Sequence, residues 1–332
     1  MDDFTENRGA IFDWDLFRRD VRRDVRNCAL CLFLFYAVML IASVIVMAAS
    51  MLANAAGAIE SFLESGGQDM TDALDEVIAP MSIVGIVAGS CVFFILRRRR
   101  FITDLAAPMA EPLTPRIFMI LVVVTQAIQF VYAMIVSLID ELLPEGLSMI
   151  DSYGDAMEGL FTPLGVLYVV LIGPIFEELI FRGAVLGTLR RFGDNFAILF
   201  SAILFGFYHG IILQIPFGFA MGLLFGYVAV RWSLRISIVL HIIVNGLSVL
   251  FSDVGNEALT TAGGVFMIAC TAMAVVCAIK WRATLKARIN ACAAYYPKTY
   301  ANGFSSVAFW IFIVVMAGFG LIQMNPDLAL SL

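Results

Sequence analysis

Apolar stretches of roughly membrane-crossing length recur nine times along this chain, at 28–56, 81–96, 117–139, 160–190, 195–213, 215–230, 236–252, 262–279 and 304–323. A helix needs about 20 residues to cross a hydrocarbon core roughly 30 Å thick. Among the nine, 81–96 is short and 160–190 is long enough to kink. Backbone groups in lipid must pair within their own segment, so these stretches are helices rather than strands. The residue-by-residue alternation of a membrane barrel is absent. Composition agrees, with 61% of the residues hydrophobic and only 14% charged. A soluble domain runs nearer 45–50% apolar and about 25% charged. The expected fold is therefore all-α, a polytopic transmembrane helix bundle of about nine spans.

The charges order these spans. Every Lys and Arg apart from Arg182 falls at one end of an alternating series. Arg18, Arg19, Arg22, Arg23 and Arg26 precede the first span, Arg97 to Arg100 follow the second, and Arg116 precedes the third. Arg190 and Arg191 end the fourth, Arg231 and Arg235 lie between the sixth and seventh, and Lys280 to Lys298 lie between the eighth and ninth. The other loops hold no Lys or Arg and are acidic, as at Glu60 to Glu76 and Asp140 to Glu158. Basic loops stay cytoplasmic. The expectation is a multi-pass protein of the cell membrane with its N-terminus inside, its C-terminus outside and the lipid bilayer as partner. No basic patch is interleaved with aromatics, so nucleic acid is not an expected partner.

This divides the chain into a cytoplasmic basic or amphipathic segment at 1–27, N-terminal transmembrane helices at 28–159, a core carrying the chemistry at 160–252 and C-terminal transmembrane helices at 253–332. No cleavable signal peptide is expected, because the first 27 residues are polar and the first apolar run is too long. Pro108, Pro112 and Pro115 exclude a regular helix over 101–116, which reads as an inner connector. Residues 281–303 read as a second inner loop, with Tyr295, Tyr296 and Tyr300 at headgroup level. The six cysteines read as apolar filling rather than disulfides or metal ligands. The Gly222–Gly226 spacing permits close helix contact.

Ionisable residues deep in apolar runs occur only in 160–252. Each costs roughly 2.5–3.5 kcal/mol to insert, which makes it a functional-site hypothesis by default. The fourth stretch contains Gly173-Pro174, then Glu177 and Glu178, then Arg182. Arg182 lies four residues after Glu178, on the same helix face. An ion pair there neutralises one carboxylate and leaves Glu177 pointing about 100° away as a candidate base. Pro174 should kink the helix just before the pair. His209 and His241 are the only histidines in the chain, and Asn245 lies one turn beyond His241. Amide hydrolysis needs a base for water, a proton carrier to the leaving nitrogen and donors for the oxyanion. Glu177 and His209 can hold and deprotonate a water, His241 and Asn245 can donate to the oxyanion, and Glu178 with Arg182 can orient the set. Neither G-x-S-x-G nor H-E-x-x-H is present. Two histidines and two carboxylates on separate helices leave both a metal-free site and a zinc site open.

The motifs E-E-x-x-x-R (Glu177, Glu178, Arg182), F-x-x-x-H (Phe205, His209) and H-x-x-x-N (His241, Asn245) resemble those of the CPBP family, the CAAX proteases and bacteriocin-processing enzymes also called Abi proteins. The resemblance covers roughly 160–252. It implies a multi-helix intramembrane protease whose first glutamate and a histidine activate water, with His241 and Asn245 at the oxyanion. The family is often labelled metalloprotease. Its eukaryotic members cleave prenylated proteins, so the implied partner is a peptide or protein substrate, prenylated or not. Midplane carboxylates and histidines also suit a proton-coupled transporter, and some family members are non-catalytic scaffolds or immunity proteins. One feature fits poorly. At 1.5 Å per residue, Glu177 lies about 20 Å from Arg190 and His209 about 22 Å from Asp194, whereas His241 lies only about 9 Å beyond Arg235.

Overall fold

The computed structural model describes residues 13–65, 68–143, 148–150, 153–154, 158–252, 257–291 and 298–324. Every regular element among these residues is helical. We number the helices α1 (Trp14–Ser65), α2 (Gln68–Ala106), α3 (Pro115–Asp140), α4 (Pro163–Phe192), α5 (Asp194–Tyr208), α6 (Gln214–Arg231), α7 (Leu234–Phe251), α8 (Glu257–Ala291), α9 (Thr299–Phe304) and α10 (Val307–Met324). The protein is a multi-pass helical membrane protein, and among the described residues seven helices are long and apolar enough to cross a bilayer: α1–α4 and α6–α8. The expected spans 195–213 and 304–323 fall instead on shorter apolar helices, Asp194–Tyr208 and Val307–Gln323.

The shortening of α5 has a local cause. Gly210 adopts φ +63° just past the helix C-cap at His209. A left-handed residue at that position ends an α-helix. The chain turns over 209–213 and α6 returns antiparallel along α5. Glycine allows the approach: a Cβ on Gly222 would lie 2.9 Å from Ala202 Cα, and one on Gly226 3.2 Å from Ile198 Cγ2. The Gly222–Gly226 spacing thus serves this internal hairpin. With 15 residues, α5 rises only about 22 Å. Starting from the basic side, it stops short of a roughly 30 Å core. Irregular backbone at such depth is tolerated where it is buried in protein or lines a cavity.

Over the described residues 13–27 the N-terminal segment is not a separate helix. From Trp14 it is one helix with the first span, because Phe17, Val21, Val25, Cys28 and Leu32 continue a single apolar stripe. That stripe docks on the end of α4. Val21 and Val25 are fully buried with Leu189 and Phe192, and the Phe17 and Phe192 rings meet edge-on at 5.7 Å. Arg191 pairs with Asp24 at 2.7 Å. Residues 1–12 lie outside the described residues.

Two connectors also differ from expectation. α2 continues to Ala106, so the irregular inner connector is 107–114 rather than 101–116. α8 likewise runs on to Ala291, shortening the second inner loop. Tyr300 packs against Phe196 at 5.6 Å rather than standing free at headgroup level. Tyr295 and Tyr296 lie outside the described residues. Of the described cysteines, Cys91, Cys270 and Cys277 are free thiols, and Cys28 is buried.

Candidate active site

α4 sets the site. Pro174 has no N–H to donate, and the helix widens ahead of it into a π turn at Tyr168–Ile172, with the Gly173 N–H donating to the Tyr168 carbonyl. A second π stretch covers Leu179–Leu186. Such bulges are frequent at functional sites. They leave the Val169 carbonyl without a helical donor, since Gly173 is committed to Tyr168 and the next residue is proline. Asn245 of α7 fills the gap, its Nδ2 donating to the Val169 carbonyl at 2.9 Å.

Below this turn lies a closed polar network. Glu178 and Arg182 are buried, with Arg182 Nη1 3.0 Å from Glu178 Oε1. The guanidinium sits over the Phe205 ring at 4.1 Å. Ser237 Oγ donates to Glu178 Oε2 at 2.6 Å. His241 Nδ1 lies 3.1 Å from Glu178 Oε1. A carboxylate can only accept, so Nδ1 carries the proton. The His241 ring stacks on Phe225 at 4.6 Å, which aims Nε2 towards Glu177, 3.8 Å from its Oε2.

Glu177 turns away from this network into a cavity of about 790 Å³. His209, His241 and Asn245 line the same cavity, while Glu178 and Arg182 lie beneath it. His209 stands at the end of α5, and its Nδ1 donates to the Phe205 carbonyl at 2.9 Å. That fixes the tautomer of a neutral ring and frees Nε2. Gly218 makes room, since a Cβ there would lie 3.1 Å from Nδ1 of His209.

Despite its apparent shallowness His241 reaches Glu177, and the inner connector packs on the start of its helix. Ala110 N–H donates to the Trp232 carbonyl at 2.9 Å, Arg235 Nη2 donates to the Ala107 carbonyl at 3.0 Å, and Arg231 pairs with Glu111. Trp232, Ser233 and Leu234 are buried. Protein covers the start of α7 as far as Leu234, while Arg235 is exposed.

Sequence reasoning missed several residues here. Ser237 stands four residues before His241, one helical turn away, and that spacing carried a signal. Gly218 continues the Gly222–Gly226 stripe by one turn. Tyr36, Tyr168 and Tyr208 also line the cavity, and the Tyr36 hydroxyl donates to the Tyr208 carbonyl. Tyr36 arrives from α1, and nothing in its local sequence marks it.

The Asn245–Val169 bond makes a testable pair. Asn245→Ala is expected to destabilise by roughly 1–3 kcal/mol, the cost of an unsatisfied buried group. Adding Pro174→Ala supplies the missing N–H and should restore part of that loss in denaturation midpoints. Additive effects in the double variant would show that the two positions are not coupled through this carbonyl.

Residues 159–247 match the family described as type II CAAX prenyl endopeptidase Rce1-like. The chain is also 32% identical, over 109 residues, to the membrane-embedded CAAX protease MroQ of Staphylococcus aureus (strain USA300). That similarity covers 30% of this chain and 44% of the relative, so less than half of the relative's length is spanned. No solved structure matches. The stretch that carries α4 to α7 and the floor of the cavity is thus the part of the chain that is similar to CAAX-protease-like membrane proteins.

Proposed function

We propose that the protein is an intramembrane endopeptidase that hydrolyses a peptide bond of a membrane-borne or lipidated chain. The observation that carries this reading is the meeting of Glu177, His209, His241 and Asn245, from α4, the α5–α6 turn and α7, on one cavity inside the bundle. Glu177, assisted by His209, takes a proton from water as the oxygen attacks the carbonyl carbon. His241 and Asn245 donate to the oxyanion that forms. The proton then passes to the leaving nitrogen, the C–N bond breaks, and a carboxylate and an amine leave.

The geometry constrains these roles. His241 Nδ1–H is engaged by Glu178, so donation from Nε2 requires the doubly protonated ring. One N–H of Asn245 is committed to Val169, which leaves the other for the oxyanion. Glu178 and Arg182 act through His241 and are positioning residues.

No three His, Cys, Asp or Glu side chains among the described residues are gathered as a metal site requires. His209 and His241 each spend Nδ1 on a protein acceptor, which leaves Nε2 of each ring free. No step of this reading is routed through a metal. Purified enzyme shown to be metal-free by elemental analysis should therefore keep its turnover in the presence of a chelator.

The substrate reading is tested by comparing wild type with Glu177→Gln in membrane proteomes. The variant should accumulate full-length chains that the wild type shortens, some of them co-purifying with it. Identical peptide termini in both strains would defeat the proposal.

A further inference from the structure

We infer that the cavity is entered from the acidic, extracytoplasmic side of the bundle, so that the substrate, on the peptidase reading above, presents its cleaved segment on that side. The inference rests on where the cavity's walls lie along each helix. Rise per residue places Gln129 and Ser137 of α3 about 20 and 32 Å from Arg116. It places Asn245 and Ser248 of α7 about 15 and 20 Å from Arg235, and Ser82 of α2 about 22 Å from Arg97. All of these line the cavity. The shallowest lining residues, Phe225 and His241, lie about 9 Å from Arg231 and Arg235. No lining residue belongs to a basic loop.

The two ends of the cavity differ in closure. Towards the basic side it is floored by the Glu178–Arg182–Ser237 network, which is buried. Below that, Trp232, Ser233 and Leu234 are buried and tied to the 107–111 connector by the bonds already described. Towards the acidic side the lining residues Ser137 and Ile150 are exposed. Asp140 holds the segment beyond α3 against this rim, accepting from the Met149 N–H at 2.6 Å, the Ile150 N–H at 3.3 Å and Ser148 Oγ at 3.0 Å. Gln214 at the α5–α6 turn donates to the Tyr153 hydroxyl at 3.3 Å. The segments that frame the mouth therefore belong to loops without Lys or Arg, and the one beyond α3 is acidic. A lipidated chain end confined to the inner leaflet would meet the sealed floor. A chain that crosses the membrane, or is anchored in its outer leaflet, would meet the opening.

The test is thiol labelling of the full-length protein, read by mass spectrometry of the modified peptide. Three single substitutions are compared: Ser137→Cys at the rim, Ser248→Cys inside the cavity and Arg116→Cys at the basic end of α3. A small membrane-impermeant methanethiosulfonate is applied to intact cells and to inverted vesicles. A charged reagent does not cross the bilayer, so Ser137→Cys and Ser248→Cys should each react about tenfold or more faster in intact cells, and Arg116→Cys faster in inverted vesicles. Reaction of Ser248→Cys from the Arg116 side overturns the inference, as does failure of Ser248→Cys to react from either side while Ser137→Cys does. Because labelling does not depend on turnover, the access route and the peptidase reading fail separately.

Discussion

Replacing Glu177 with Gln is expected to lower peptide-bond cleavage by about 10²–10⁴-fold, the usual contribution of a positioned general base, with the fold intact. Gln keeps the size of the side chain. The contact it weakens is the 3.8 Å approach to His241, while the bonds among Glu178, Ser237, Arg182 and His241 remain. His209→Ala should cause a loss of similar order, because both groups act on one water. For the same reason the double variant should be little slower than either single one, since residues that work as a unit are not additive. Initial rates on a trapped substrate, alongside denaturation midpoints, check both statements. Wild-type turnover by Glu177→Gln would remove it from the mechanism.

The second large effect concerns the fold. Arg182→Met leaves the fully buried Glu178 without its cation, and breaking a buried pair from one side costs roughly 3–5 kcal/mol. It also removes the guanidinium from the Phe205 face, worth about 0.5–2 kcal/mol. The double variant Glu178→Gln, Arg182→Met removes both charges and should recover most of the loss while still abolishing cleavage, since His241 then loses the carboxylate that orients it. Thermal or detergent unfolding of the four members of the cycle measures the coupling. If Arg182→Met is as stable as the parent, the pair does not hold the floor of the cavity.

The helical membrane bundle was readable from hydropathy, since long apolar segments follow from lipid as solvent. So was the Glu178–Arg182 contact, because four-residue spacing on a helix is local geometry. The end of α5 was less legible. Residues 195–213 are uniformly apolar, and the turn depends on one left-handed glycine, Gly210, lying in a context that hydropathy does not distinguish. The meeting of His241 with Glu177 looked improbable because depth was counted along each helix separately, and how α4 and α7 are set against each other is decided by tertiary packing rather than by spacing within one helix. Tyr36 and Tyr168 were invisible for different reasons: the first comes from a distant helix, and the second needs a π turn to face inward.

That π turn has a wider consequence. The extra residue within Tyr168–Ile172 offsets the helix upstream of Pro174 from the half that bears the two glutamates. In a regular α-helix each residue advances the face by about 100°. Loss of a single residue from this turn would swing Tyr168 and the Val169 carbonyl out of alignment with Asn245 while leaving all the motif residues in place. A homologue could thus preserve every charged and imidazole group of this centre and still have a differently shaped chamber, decided by chain length over five positions rather than by residue identity.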